Sequence, residues 1–546
     1  MPIIEISKKD LYSLTGKKLS DAELREAMPF AKASVESIED DAMKVEVGDV
    51  NRPDLWSTEG IAREIKTRLK KKIPLYTVNK SDYEVKVESK VKSVRPLIVC
   101  AVVKGFNLSD EAIKQIIQLQ EKLCESFGRK REEAALGIYD FDKLHWPVRY
   151  TTTKPDAIKF VPLDMSEALT PRRILQKHEK GRLYGHLIAN FEEFPLLIDA
   201  ANNVLSMPPI INSEYSGKVT TKTKNVFIEV TGLSSRFIVP VLNVMVSALA
   251  ARGGAIYSVT ITDKKKIATP NLKEEDIKIN IEEINKTLGL ELSNKQIIEL
   301  LTKSGFDTKL KGKDILVRYP AYRQDILDTR DIIEDIAISY GYSKLKPELP
   351  AVASIGKSSE ESILKEKIAN ILCGLEAQEI ATFTLTNKEK LFKLMQQKES
   401  AVIEIANPVS ATYFCLRSWL LPSLIEFLSK NKDVEYPQKI FEIGECTLIE
   451  KNKAKNALKI AFALADSKAN FTQVKQILDY FLSNIRIRYG IKKAEHSSFI
   501  KGRTGEIIIK GKEAGIIGEV HPTILENWKL TMPVAAFELD LTKIYR

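Results

Sequence analysis

Five carboxylates fall within eleven positions of the stretch RQDILDTRDIIEDIAISYGY (323–342): Asp325, Asp328, Asp331, Glu334 and Asp335. Two chemistries fit such a crowd. In a helix beginning near Asp328 or Thr329, at about 100° per residue, Asp331, Glu334 and Asp335 share one narrow sector, and Ile332, Ile333, Ile336, Ala337 and Tyr340 cover the opposite side. That describes an amphipathic helix whose acids face water near its positive N-terminus. Alternatively, three carboxylates at i, i+3 and i+4, joined by Asp325 from the preceding turn, offer oxygen ligands to a hard cation such as Mg²⁺, with waters completing its shell. Periodicity leaves both open. Five cysteines (Cys100, Cys124, Cys373, Cys415 and Cys446) form no CxxC pair and five histidines no HExxH, which argues against zinc and for reduced thiols in a cytoplasmic protein.

A large framework must position these groups. At 546 residues, three or four domains are expected. With 44% hydrophobic and 29% charged residues the composition is ordinary for a globular protein. Nothing approaches eighteen uninterrupted apolar residues, and the start MPIIEISKKDLYSL lacks the pattern of a secretory signal, so no membrane association is expected. The net charge of +10 is spread out, with concentrations at RLKKK (68–72), GRKRE (128–132) and Lys264–Lys266; it is compatible with a nucleic-acid partner without establishing one.

Residues 1–75 read as a small mixed unit, with a helix after a Ser20 cap and a strand passing through a turn at Asn51–Pro53 into another helix. Residues 80–265 hold short β-like runs (YEVKVES, LIVCAVVKGF, NVFIEVTG, AIYSVTIT) between long Pro- and Gly-bearing segments, which tend to be functional. Helical spacing is expected over 274–287, over SNKQIIELLTKSGF and over 358–375; strands are expected at DILVRYP, EIATFTLT, QKIFEIGECTLIE and VAAFELDLTKIYR. No short repeat is expected.

The stretch 323–342, with its lead-in YPAYRQDI, resembles the B5 domain of the β subunit of phenylalanyl-tRNA synthetase. The likeness runs along the chain. NRPDLWSTEGIAREI (51–65) is similar to the family's N-terminal signature. LGIYDFDKLHWPVRYT, HEKGRLYG, PLLIDAANNVLSMPPIINSE and NVFIEVTG resemble its B3/B4 domain in the archaeal and eukaryotic form; NPVSATYFCLRSWLLPSLIEFL, PQKIFEIGE and GIIGEVHPTILENWKL resemble its catalytic-like module. The resemblance implies an α+β multidomain chain: a B1-like N-terminal domain (1–80), a B3/B4 editing domain (81–268), a winged-helix-like B5 domain (269–350) and an inactive class II synthetase-like module with an antiparallel sheet (351–546). It implies Mg²⁺ at Asp325, Asp331, Glu334 and Asp335, against an α subunit. The bacterial-type additions find no room, which favours the shorter type.

In this family an α subunit charges tRNA(Phe) with ATP in an α₂β₂ heterotetramer, and the resemblance implies the same here. Active class II sites grip ATP with arginines; here Glu538 and Asp540 stand where small residues would admit the triphosphate, and Arg417 is expected to tie a turn to a helix start or to the partner chain. The B3/B4 domain is expected to hydrolyse Tyr-tRNA(Phe). Glu229 matches a family glutamate and is expected to meet the tyrosine hydroxyl, with Asn212, Ser213 and Glu214 near the ester or ribose, and Thr223 and Asn225 as further candidates. His145, His178 and His186 take no assigned role, and a water oriented by the substrate's ribose would need no protein base. Two alternatives stay open: a scaffold subunit with a silent pocket, and a free-standing deacylase.

Overall fold

The computed structural model describes residues 2–69, 76–106, 108–350 and 354–545, in two compact units, Met1–Glu348 and Leu349–Arg546. Lys70–Lys72 of the first basic run lie outside the described residues.

The first unit opens with strand β1 (Ile3–Ser7), helices α1 (Lys8–Thr15) and α2 (Asp21–Ala27), the hairpin β2 (Ala33–Glu39) and β3 (Ala42–Val47), and helix α3 (Thr58–Arg68). Its sheet runs β1-β3-β2, antiparallel throughout. The starts are written locally. Ser7, Ser20 and Ser57 cap the three helices, and Glu23 completes a capping box with Ser20.

The middle of the unit is an 11-stranded mixed sheet. Its functional end is built from β4 (Leu97–Lys104), the edge strand β5 (Ala134–Asp140), β6 (Val204–Met207), β7 (Asn225–Gly232) and β8 (Ala255–Thr262), in the order β8-β4-β7-β5, with β6 further along the sheet. Helices α4 (Asp110–Lys122) and α5 (Ser235–Ala251) pack on one face. Period-two alternation sends Val226, Ile228 and Val230 of β7 toward these helices. Phe227, Glu229 and Thr231 take the other face, where Phe227 packs with Tyr139, Val102 and Cys100.

The unit ends with β9 (Glu275–Asn280), α6 (Ile281–Leu288), α7 (Asn294–Lys303), β10 (Asp307–Lys311), β11 (Asp314–Tyr319) and α8 (Thr329–Tyr340), the sheet running β9-β11-β10. Residues 274–287, expected as one helix, divide at Asn280, which caps α6 and ends a strand paired with β11. Element order and sheet order repeat those of residues 3–68. So does the sequence, at a spacing of 271 residues that the expectation of no short repeat did not address: RPDLWSTEGIAREI (52–65) aligns without a gap on RQDILDTRDIIEDI (323–336), identical at five of fourteen positions. Ser57 and Asp328, the N-caps of α3 and α8, align with each other. Arg68 of α3 donates to Ser339 of α8, its own counterpart 271 positions on, at 2.7 Å. The two copies are in contact through these helices.

The second unit carries α9 (Glu360–Cys373), α10 (Leu421–Lys430), α11 (Phe471–Asn484) and a seven-stranded sheet. Its strands are β12 (Gln378–Glu379), β13 (Gln438–Glu450), β14 (Lys453–Ala465), β15 (Tyr489–Lys493), β16 (Phe499–Ile509), β17 (Lys512–Val520) and β18 (Val534–Asp540), in the order β12-β13-β14-β18-β17-β16-β15. Only the β12–β13 pair is parallel. The expected strand EIATFTLT (379–386) is mostly irregular, because its ends pair with different partners, Gln378–Glu379 with β13 and Leu385–Thr386 with Cys415–Leu416. Among the described residues, no helix is long and apolar enough to cross a membrane.

Candidate functional site

Glu229 sits in mid-β7, opposite Cys100 of β4 and Gly137 of β5. Its side chain is buried on the face away from α5. One carboxylate oxygen, Oε1, accepts from the Tyr139 hydroxyl at 3.0 Å, and that hydroxyl lies 2.8 Å from Ser206 Oγ on β6. The other, Oε2, is buried without a hydrogen-bond partner. Burial pushes the Glu229 carboxyl up to about 7, against the opposing pull of the Tyr139 bond and the Arg95 guanidinium. Arg95 is itself spent on Thr231, donating from Nε to Thr231 Oγ1 at 3.0 Å. Gly137 makes the pairing possible: a Cβ there would stand 2.4 Å from Tyr139 Oη and 2.8 Å from Glu229 Oε1.

A cleft of about 660 Å³ reaches Glu229. Ile113, Ile116 and Ile117 of α4, with Leu136, Ile138 and Ile210, make it apolar; Lys177, Lys180, Lys218 and Arg131 bring positive charge, and Glu121, Asp164 and Glu179 negative. An apolar chamber ending on one unsatisfied carboxyl can read a hydroxyl on an otherwise apolar ligand, because a buried polar group left unpaired costs about 1–3 kcal/mol.

Of the six residues expected in this pocket, Glu229 and Asn212 line the cleft. Asn212 donates from Nδ2 to the Ile138 carbonyl at 3.3 Å. The other four do not line this cleft and make their hydrogen bonds elsewhere. Ser213 is the buried N-cap of the short helix Glu214–Gly217. Glu214 accepts from Asp164 N and from Lys218 Nζ, contacts that pull its carboxyl below the usual range. Thr223 donates to Asp140, and Asn225 donates to Asp142 at the far end of β7. Tyr139, Ser206 and Gly137 escaped the sequence reading. The alternation in β7 exposes the face of Glu229, but only strand pairing shows which side chains reach it. His178 lines the cleft with both ring nitrogens engaged, Nδ1 accepting from Lys180 N and Nε2 3.1 Å from the Leu163 carbonyl. His145 pairs with buried Asp199.

The acid-rich stretch forms as a helix capped by Asp328, as expected, but its acids do not share one face of water. Asp325 and Asp335 are buried. Arg323 grips Asp325 with two parallel bonds (Nε–Oδ1 2.9 Å, Nη2–Oδ2 2.6 Å) and Asp335 with a third (2.6 Å). Burial would raise the Asp325 carboxyl, yet Arg323 and Arg52 hold it far below the usual range. Asp331 turns back to accept from Leu327 N and Asp328 N, both at 2.8 Å. Glu334 pairs with Lys32 at 2.9 Å. The four expected metal ligands are thus held by three different donor sets, Arg323 for Asp325 and Asp335, backbone amides for Asp331 and Lys32 for Glu334, and the described residues hold no group of three ligating side chains suited to a metal ion. The residues do not fit the expected Mg²⁺ site; cations and amides of the chain itself already hold their oxygens.

In the second unit Arg417 bonds Glu442 at 2.6 Å, Thr382 at 2.8 Å and the Glu445 carbonyl at 3.0 Å, tying a turn to β13. Glu538 accepts from Leu420 N and Leu421 N at the start of α10 and from Lys459 Nζ at 2.9 Å. Arg417 and Lys459 are thus each neutralised by a neighbouring carboxylate.

The chain thus combines two like αβ units, a large mixed sheet with a cleft that reaches Glu229, and a seven-stranded, almost wholly antiparallel sheet, and comparison with known proteins places this combination among the aminoacyl-tRNA synthetase subunits. Residues 345–541 match the family model described as phenylalanyl tRNA synthetase beta chain CLM domain, and residues 277–342 that of the tRNA synthetase B5 domain. The phenylalanine–tRNA ligase beta subunit of Pyrococcus horikoshii is 46% identical over all of both chains, and that of Methanocaldococcus jannaschii 40% identical over 99% of this chain and all of its own. The crystal structure of an N-terminal fragment of the Pyrococcus horikoshii phenylalanyl-tRNA synthetase beta subunit superposes with TM-score 0.61 at 46% identity, covering 62% of this chain and all of that one. The chain belongs to the phenylalanine–tRNA ligase beta-subunit family.

Proposed function

We propose that this chain serves the charging of tRNA(Phe) with phenylalanine together with an α subunit, in an α₂β₂ heterotetramer, and that its cleft hydrolyses Tyr-tRNA(Phe). The domains we assign are 1–80, 81–268, 269–350 and 351–546, the last a catalytic-like module without catalysis. ATP and the Mg²⁺ that accompanies it belong to the α subunit. In this chain the Arg417–Glu442 and Lys459–Glu538 pairs leave the triphosphate no free cation at that place, which supports this division.

One observation carries the editing reading: the buried, unpartnered Oε2 of Glu229 at the end of an apolar cleft. A pocket shaped for phenylalanine rejects an added hydroxyl only by a factor on the order of 10². A second site that must bond that hydroxyl discriminates the other way, because phenylalanine leaves the carboxyl unpaired. With a carboxyl poised near neutrality, Glu229 either accepts from the phenol or donates to it. The engaged nitrogens of His178 favour a water held by the substrate's own ribose hydroxyl over a protein base. Deacylation of Tyr-tRNA(Phe) by the complex tests this. Glu229→Ala is expected to slow it by about 10-fold or more, with phenylalanine charging unchanged. Equal rates for both proteins would instead mark a scaffold subunit with a silent pocket.

A further inference from the structure

The two copies of the repeated motif meet across their charged residues. Arg52 holds Asp54, two positions on, with two parallel bonds of 2.9 Å, and Glu64, twelve positions on, at 2.8 Å. Arg323 holds Asp325, two positions on, and Asp335, twelve positions on. The copies are joined by Arg52 Nε at 3.5 Å from Asp325 Oδ1, and by Lys32, which pairs with Asp49 at 2.7 Å in its own copy and with Glu334 of the other. Arg63 of α3 lies over the ring of Tyr322, 4.4 Å from its centroid.

Comparing the copies sorts the four expected ligands. Asp325 and Asp335 align with Asp54 and Glu64, so the guanidinium-bound acids recur in both. Asp331 and Glu334 align with Gly60 and Arg63, so the acids outside the guanidinium grip do not. The charges nearly cancel as well. Lys32, Arg52, Arg63, Arg68 and Arg323 face Asp49, Asp54, Glu64, Asp325, Glu334 and Asp335. A Mg²⁺ ion needs oxygen ligands at about 2.0–2.1 Å. Here both oxygens of Asp325 and one of Asp335 already face Arg323 at 2.6–2.9 Å.

We propose that these residues form a metal-independent clasp: within each copy an arginine holds its R-x-D aspartate and an acid of α3 or α8, the Arg52–Asp325 and Lys32–Glu334 contacts join the copies, and the cations of the chain itself do the work a divalent cation would do between carboxylates alone. Such bidentate pairs are geometrically specific, and removing one partner from a buried pair leaves an uncompensated charge.

Thermal melting of the full-length chain, and anomalous scattering from its crystals soaked in MnCl₂, test the clasp. The wild-type protein is expected to melt within about 1 °C in EDTA and in millimolar MgCl₂, with no manganese peak between Asp325 and Asp335. Arg323→Gln frees those acids; it is expected to melt lower by about 5 °C or more and to recover part of that loss in millimolar Mg²⁺. Glu334→Gln removes the partner of Lys32 in the other copy and leaves it Asp49, so it is expected to melt lower than wild type by less than Arg323→Gln does, and equally in either medium. A manganese peak on the Asp325 and Asp335 carboxylates of the wild type, a wild-type gain of several degrees from Mg²⁺, or an Arg323→Gln protein that melts like wild type would each overturn the proposal. Should Arg323→Gln fail to fold, the wild-type measurements decide alone.

Discussion

Glu229 and Asp325 are both buried carboxylates, and they respond to pH in opposite senses. At Glu229 desolvation wins, because its nearest hydrogen-bond donor is a neutral phenol, and the folded carboxyl sits near 7 against 4.5 for a free one. Between those values the folded protein holds more protons at this site than the unfolded chain, so the site's contribution to stability falls as pH rises from about 4.5 to about 7 and is constant above. Melting of Glu229→Gln against wild type across this range checks the sign: the variant is expected to gain on wild type with rising pH and to hold its lead above 7. At Asp325 the two guanidinium groups win, so its contribution is intact above the free value of 3.8 and is lost only in stronger acid. Gly137 is the third residue with a single-site consequence. Gly137→Ala pushes a methyl group into Tyr139 and Glu229, and is expected to cut deacylation while leaving phenylalanine charging intact, as parallel assays would register.

At the scale of elements, caps written into the sequence decide where helices begin, and buried ion pairs decide what the helices dock against. Asp328 caps α8 through Arg330 N, and Asp331 closes the reciprocal half of the capping box. Asp328→Ala is expected to lower stability by about 1 kcal/mol, read from denaturant unfolding of the full chain. The start of α10 carries a cap that sequence proximity hides, since Glu538 reaches Leu420 N and Leu421 N from 118 and 117 positions away. Glu538→Ala uncaps α10 and leaves the half-buried Lys459 only the Ser418 carbonyl, and is expected to cost roughly 2–3 kcal/mol there. That loss is to appear in the unfolding of Leu349–Arg546 and to leave the melting of Met1–Glu348 unchanged.

Over the whole molecule, chemistry is divided by which cations remain free. If the second unit lacks free phosphate ligands, the purified chain with phenylalanine and ATP is expected to exchange no pyrophosphate, and addition of an α subunit is expected to supply the activity. Pyrophosphate exchange by the chain alone would refute this division. Much of the architecture was legible in the residues. Serine caps, period-two strands such as NVFIEVTG and the long motifs of the catalytic-like module are local signals, read within a few residues. The division of residues 274–287 was not, because Asn280 ends a strand only through its pairing with β11. Nor was the repeat, since five identities spread over fourteen positions and 271 residues apart carry weight only when the two copies are seen in contact. The sequence by itself determined which residues carry charge, where most helices start, and that Glu229 and Phe227 share a side of their strand. Only the tertiary structure decided that Glu229 keeps one oxygen unpaired while Asp325 has both held by Arg323. A carboxylate's chemistry depends on what lies within about 3 Å of it, and in this chain Tyr139 arrives beside Glu229 and Lys32 beside Glu334 from distant parts of the sequence.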